Sequence, residues 1–316
     1  MTPGGRRWLW LLGWTLAAAL IYVLARGVDY GTLVAALRRA DWRLLAIAML
    51  AYATLQPVGA LQWRSLMPRG AVISERRMLT LFSLTSLANN TTPSIVGHAA
   101  GAALLGAEPG VGPAAALSVI ALDQLAVGLS KLVVLAAAIG MLGAPGWLRT
   151  GAVSLLVAVL LLAAALVVAA VQAERLRAWG DAHRANRVVG AVLGFAGRWA
   201  GHLDALREPR RLAAGVACAL LARALELMAI VAVQHAMGLN HGVTGSLAVL
   251  AGTSLATVIP FSPAGLGTYE AGVYGAYRFL AHTPETALAV AVVQHACLLV
   301  PAVGIGYLTL TVRRRV

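Results

Sequence analysis

Several ionisable or amide side chains stand inside runs that are otherwise apolar. Asp123, Gln124 and Lys131 interrupt "ALSVIALDQLAVGLSKLVVL", Arg223 and Glu226 interrupt "ALLARALELMAIVAV", and Glu270 and His295 stand in "PAGLGTYEAGV" and "ALAVAVVQHACLLV". Charged groups in hydrocarbon are costly and therefore face partners or a wet cavity, so these residues are the candidate site. Gln124 and Lys131 are seven apart and share one helix face. Lys131 has two readings, attraction of a lipid phosphate or pairing with Asp123 through a neighbouring turn. Arg223 and Glu226, three apart, are expected to pair within their helix. Glu270 follows a glycine-rich turn, where a carboxylate either offsets the helix dipole or takes a substrate or proton role. His98 and His295 are of the type that titrates near neutrality, with a satisfied hydrogen-bonding role as the plainer reading.

Catalysis has little to stand on. No His/Glu set has metal-ligand spacing, Ser262 is not in a G-x-S-x-G elbow, and "GLGTYEAG" follows no predicted strand. No catalytic residue, metal or cofactor is expected, and the chain is read as not an enzyme. An intramembrane enzyme working through Asp123 and Glu270 is the disfavoured alternative.

The elements that must carry these residues follow from composition. The chain of 316 residues is 60% hydrophobic and 12% charged, against about 45 to 50% apolar and about 25% charged in soluble domains. Its mean hydropathy is +0.80. This is the composition of a polytopic membrane protein. The net charge of +13 comes from arginines between apolar runs and at both ends, which orients a membrane protein and argues against nucleic acid. Cys218 and Cys297 lie in apolar segments with no metal spacing.

Six spans are expected, at about residues 8–25, 44–63, 113–142, 151–171, 212–237 and 286–312. A signal peptide at 8–25 is the weaker reading, because the run is long and carries three tryptophans. Arg6, Arg7 and Arg313 to Arg315 place both termini in the cytoplasm of a bacterial-type inner membrane. The connection 172–211, with eight arginines against four acids, lies on the same side. Arg26, Arg38, Arg39 and Arg43 conflict with an outer loop, so "TLVAALRRADW" is read as an amphipathic helix at the outer interface.

Two apolar stretches, 78–106 and 245–281, are broken by proline and glycine, which remove donors and helix propensity. With six crossings each must return to the side it came from, and such irregular backbone is tolerated only inside protein or against a cavity. In the second, Pro260 and Pro263 are expected to end an inbound helix, Gly265 and Gly267 to make the turn, and Glu270 to start the outbound helix. Asn89, Asn90, Thr91 and Thr92 cap the break in the first.

The two stretches resemble each other. "TSLANNTTPSIVG" and "TSLATVIPFSPAGLG" share TSLA and a P-x-x-x-G at Pro93/Gly97 and Pro263/Gly267. The offset is 168 from Thr85 to Thr253 and 170 from Pro93 to Pro263, and "ALSVIALDQ" faces "ALAVAVVQH" at 171. The fold is therefore expected to be an all-α polytopic membrane protein, one domain over 1–316. It has about six transmembrane helices, two re-entrant hairpins, and half-repeats at about 44–142 and 212–312 in inverted topology.

"IPFSPAGLGTYEAGVYGAYRF" and "ETALAVAVVQHACLLVPAVGIGYLTL" resemble the C-terminal signature of the lysylphosphatidylglycerol synthase transmembrane, or flippase-like, family. "LQWRSLMPRG" and "NNTTPSIVGHAAGAALL" resemble its earlier W-R-x-L-L and P-x-x-x-GE-x-x-R elements. The resemblance implies a lipid-translocating module with two opposed re-entrant hairpins and a membrane lipid or lipid-linked substrate. This chain has His98 and Gly101 where that family often has Glu and Arg, and Asp123 and Gln124 where it often has an E-R pair. The chain ends at Val316 after the last span, so the soluble aminoacyl-transferring domain is not expected. The resulting site is Glu270, Gly265, Gly267, Pro263, Pro93, Gly97, Asp123, Gln124, Lys131, Arg223, Glu226 and His295. The rival function is a non-transporting accessory or scaffold for an envelope glycolipid or hopanoid enzyme.

Overall fold

A computed structural model describes residue 15 and residues 18–24, 26, 29–143, 145–183, 186–258 and 262–313. Most of the span expected at 8–25 lies outside the described residues, as does Pro260. The helices are α1 (Tyr30–Arg38), α2 (Trp42–Ala53), α3 (Leu55–Leu66), α4 (Glu75–Asn89), α5 (Ser94–Gly106), α6 (Gly112–Leu142) and α7 (Gly146–Val171). They continue with α8 (Ala173–Ala182), α9 (Arg187–Gly201), α10 (Pro209–Ala236), α11 (Gly242–Ala256), α12 (Thr268–Phe279) and α13 (Pro284–Arg313), with a 3-10 turn at Asp204–Arg207 before α10.

Local sequence sets the boundaries. Asp29, Asp41, Ser74 and Asn186 each accept a backbone N–H of the first turn that follows them, so α1, α2, α4 and α9 start there. Proline in the first turn opens α6 and α10, where its missing donor costs nothing. Gly143, at φ 72°, stops α6 in a conformation few other residues adopt.

Among the described residues five helical segments are long and apolar enough to cross a membrane: Trp42–Leu66, Gly112–Leu142, Gly146–Val171, Pro209–Ala236 and Pro284–Val312. The chain is an integral, all-helical membrane protein. The first of these segments is α2 and α3 together, joined at Thr54. α7 is the peripheral one, with Leu160, Leu161 and Val168 all more than half exposed, as a lipid-facing helix requires. The helix expected at 32–42 is α1, and its C-terminal part ends sooner, because Asp41 caps α2 instead. α1 packs on α13. The connection 172–211, read from sequence as a basic link, is mostly helical: α8 and α9 pack on each other.

The packing is crosswise. α4 and α5 form one hairpin and α11 and α12 a second; α5 then packs on α6, and α12 on α13. α4 also packs on α13, the last of the five spans, while α11 packs on α6. The α2–α3 span supports α4 just as α10 supports α11. Small residues let the hairpin helices close. A Cβ on Gly272 would lie 2.7 Å from the Gly252 carbonyl oxygen, and one on Gly101 would lie 2.5 Å from the Thr85 side chain. Trp63 closes the first half edge-on to Phe82 at 5.3 Å.

Candidate functional site

The hairpin tips meet. Pro93 and Pro263 form an isolated antiparallel bridge, the β-type pairing found among the described residues. In the second tip Ala264, Gly265 and Gly267 take φ of 56°, 71° and 81°, a left-handed run that two glycines make accessible. Glu270 holds this turn: its Oε2 accepts the Gly267 N–H at 2.7 Å. Its Oε1 lies 2.8 Å from His295 Nδ1, and His295 Nε2 lies 3.1 Å from the Ala264 carbonyl oxygen. Both ring nitrogens thus face oxygen atoms, one of the Glu270 carboxylate and one of the Ala264 backbone. Tyr269 stacks on His295 at 4.4 Å and its hydroxyl accepts from Gln294 at 2.9 Å.

The first tip is held differently. Asn90, Thr91 and Thr92 bond back to the carbonyls of Ser86, Leu87 and Ala88, as capping of a broken helix requires. Asn89 departs from that expectation: its Oδ1 is buried without a hydrogen-bond partner and packs where a Cβ on Gly97 would sit, 2.0 Å away. Gly97 is therefore a packing residue.

Between the hairpins and the spans lies a cavity of about 380 Å3. Asp123, Gln124, Lys131, Arg223, Glu226 and Gly265 line it; Pro93, Gly97, Pro263, Gly267, Glu270 and His295 do not, and instead build the tips. Arg223 Nη1 pairs with Glu226 Oε2 at 2.6 Å, as their spacing predicts. Lys131 Nζ donates to Thr257 Oγ1 at 3.0 Å and makes no ion pair among the described residues. Pairing of Lys131 with Asp123 is not what the structure has. Eight residues separate them, about 12 Å along the axis of α6, and Asp123 is occupied elsewhere. Its Oδ1 accepts from Gln62 Nε2 at 2.8 Å and its Oδ2 from Gln124 Nε2 at 3.1 Å.

The Asp123 end forms a chain. His98 Nδ1 donates to the Ser94 carbonyl at 2.7 Å, which leaves Nε2 free to accept the second amide proton of Gln124 at 3.2 Å. The cavity is thus polarised. Lys131, Arg223 and Glu226 form two cations around one carboxylate at one end, and Asp123, bonded by the Gln62 and Gln124 amides, is the carboxylate at the other. Gln62, Thr257 and Tyr52 also line the cavity and were not among the sequence candidates. Gln62 was open to detection as a polar residue next to Trp63 in an apolar run; Thr257 and Tyr52 carried no such signal.

No curated protein matches the chain. Residues 10–306, nearly the whole chain, match the family model described as the lysylphosphatidylglycerol synthase TM region. With its multi-span helical fold and buried charged cavity in place, the chain belongs to that family.

Proposed function

We propose that this protein moves a phospholipid or lipid-linked molecule between the leaflets of a bacterial-type cytoplasmic membrane. The anionic head group is held in the central cavity and the acyl or prenyl tail stays in lipid. The observation that carries the reading is Lys131, a buried ammonium whose bonded partner is a neutral hydroxyl, beside Arg223 in a cavity of head-group size. Lys131 and Arg223 share the single carboxylate of Glu226, so the site carries one positive charge in excess, which a phosphate would balance.

In this reading α4–α5 and α11–α12 are re-entrant hairpins entering from opposite faces, and both termini are cytoplasmic. The crosswise packing of α4 on α13 and α11 on α6, and the meeting of Pro93 with Pro263, support an inverted repeat. The translocation needs no catalytic residue or cofactor, and with no nucleotide-binding motif in the sequence any driving force comes from ions or the membrane potential.

Proteoliposomes holding a labelled anionic lipid in one leaflet test it. Wild type is expected to equilibrate the label, and Lys131→Ala to slow it by roughly tenfold or more, from the ~1.5 to 3 kcal/mol of a hydrogen bond to a charged group. Wild type that leaves the label in place sinks the reading. The accessory role would then be the one to pursue, through co-purification with an envelope-lipid enzyme.

A further inference from the structure

The hairpin α8–α9 carries an apolar surface that no described residue covers. On α9, residues 188, 192, 195 and 199 follow helical spacing and share a face. The stripe starts in the protein, where Trp199 packs against the main core, and ends in the open, with Val192 at 61% and Val188 at 73% exposure. Trp179 of α8 is 58% exposed. Isolated exposed apolar residues are ordinary, but a valine stripe continuous with the core, on a hairpin that also exposes a tryptophan on its other helix, is the kind of surface that takes a partner.

Its position names the occupant. α7, a span, ends at Val171, and α8 begins at Ala173 after Gln172 alone. α8 therefore starts at the membrane boundary. The hairpin is tied there: α9 packs on α6 and α7, and Arg207 Nη2 donates to the Ala170 carbonyl at 3.0 Å. It is also stiff. A Cβ on Gly180 would lie 2.7 Å from the Gly194 nitrogen, and Arg177 Nε bonds the Gly197 carbonyl at 3.2 Å, so the two helices move as one piece. Over residues 173–201 five arginines face two acids, and Arg175 and Arg198 are exposed. Apolar side chains, tryptophan and arginine together are the composition of a helix lying in a head-group layer.

We propose that α8–α9 lies on the bilayer on the side where α7 ends, with Trp179, Val188 and Val192 among the lipid and the arginines on anionic head groups. It acts as a membrane-surface anchor for the neighbouring ends of α6 and α7, independent of any cargo in the central cavity.

The full chain in nanodiscs of phosphatidylcholine, with or without phosphatidylglycerol, tests this. Trp179 emission is taken as the difference between wild type and Trp179→Phe. Brominated lipid is expected to quench that component, aqueous iodide to leave it nearly untouched, and phosphatidylglycerol to increase the lipid quenching. Paired Val188→Asp and Val192→Asp should abolish the lipid quenching, while Arg175→Glu with Arg198→Glu should remove the response to phosphatidylglycerol. Quenching by iodide and not by lipid overturns the proposal. So does shielding from both quenchers with a dimeric native mass, since a second copy would then cover the face.

Discussion

Glu270 bonds the backbone of its own turn through one oxygen and His295 through the other, and neither residue reaches the cavity, whereas Lys131 faces the cavity and donates to the Thr257 hydroxyl. The two residues should therefore fail in different ways. Glu270→Ala leaves a buried imidazole facing an unpaired site and is expected to cost about 3 kcal/mol of stability. His295→Ala should cost a similar amount. The double variant should lose little more than either alone, because the two act as one unit. Thermal unfolding in detergent measures this, and additive losses would show that the pair is not coupled. The sequence identified Glu270 as either a cap or a cargo group and could not choose, since the choice depends on His295, twenty-five residues away along the chain. The same holds for Lys131: its spacing from Gln124 placed both on one face, but its partner, Thr257, comes from a different half of the chain and left no trace in local pattern.

At the scale of elements, five of the six expected spans were legible, because 18 or more apolar residues leave few alternatives; most of the sixth, at 8–25, lies outside the described residues. The two helix breaks were legible because Pro93, Pro263 and the glycines beside them cannot continue a helix. α8 and α9 were not, because five arginines and short length masked a helical stripe that only its packing on α6 and α7 reveals. α1 was legible in type but ran one turn too far, since Asp41 could equally have belonged to it. Close helix contact in the second hairpin gives a sharp test. Gly272→Leu places a side chain into the Gly252 carbonyl 2.7 Å away and is expected to cost about 3 kcal/mol or prevent assembly, the upper range of overpacking. Gly275→Ala, three residues on with open space around it, should be neutral or slightly stabilising. Monodispersity and thermal stability of the purified variants read the difference, and equal behaviour would remove the close approach as a constraint.

For the whole molecule, the mouth of the second hairpin is tied by a pair that responds to pH. His241, before α11, contacts His282, after α12, through their Nε2 atoms, with the rings edge-on at 4.6 Å. The Arg278 guanidinium donates to the His282 carbonyl. Burial, and then the His241 ring beside it, hold the His282 imidazole below its ordinary value of 6.5. The folded state therefore binds fewer protons than the unfolded one. Its contribution is present above 6.5 and is lost as pH falls through the lowered folded value. Thermal stability in detergent should drop between about pH 7.5 and about pH 5.5, and His282→Asn should flatten that part of the profile. A variant as pH-sensitive as wild type would assign the effect elsewhere. The Pro93–Pro263 contact has a mechanical meaning at this scale. Each hairpin's first helix packs on the span that follows the other hairpin, α4 on α13 and α11 on α6, so the two tips and these spans interlock. The two tips behave as crossed levers touching near their fulcrum. Proline has no N–H, so neither Pro93 nor Pro263 donates across that contact, and the hydrogen bonds of the bridge fall to the residues beside them.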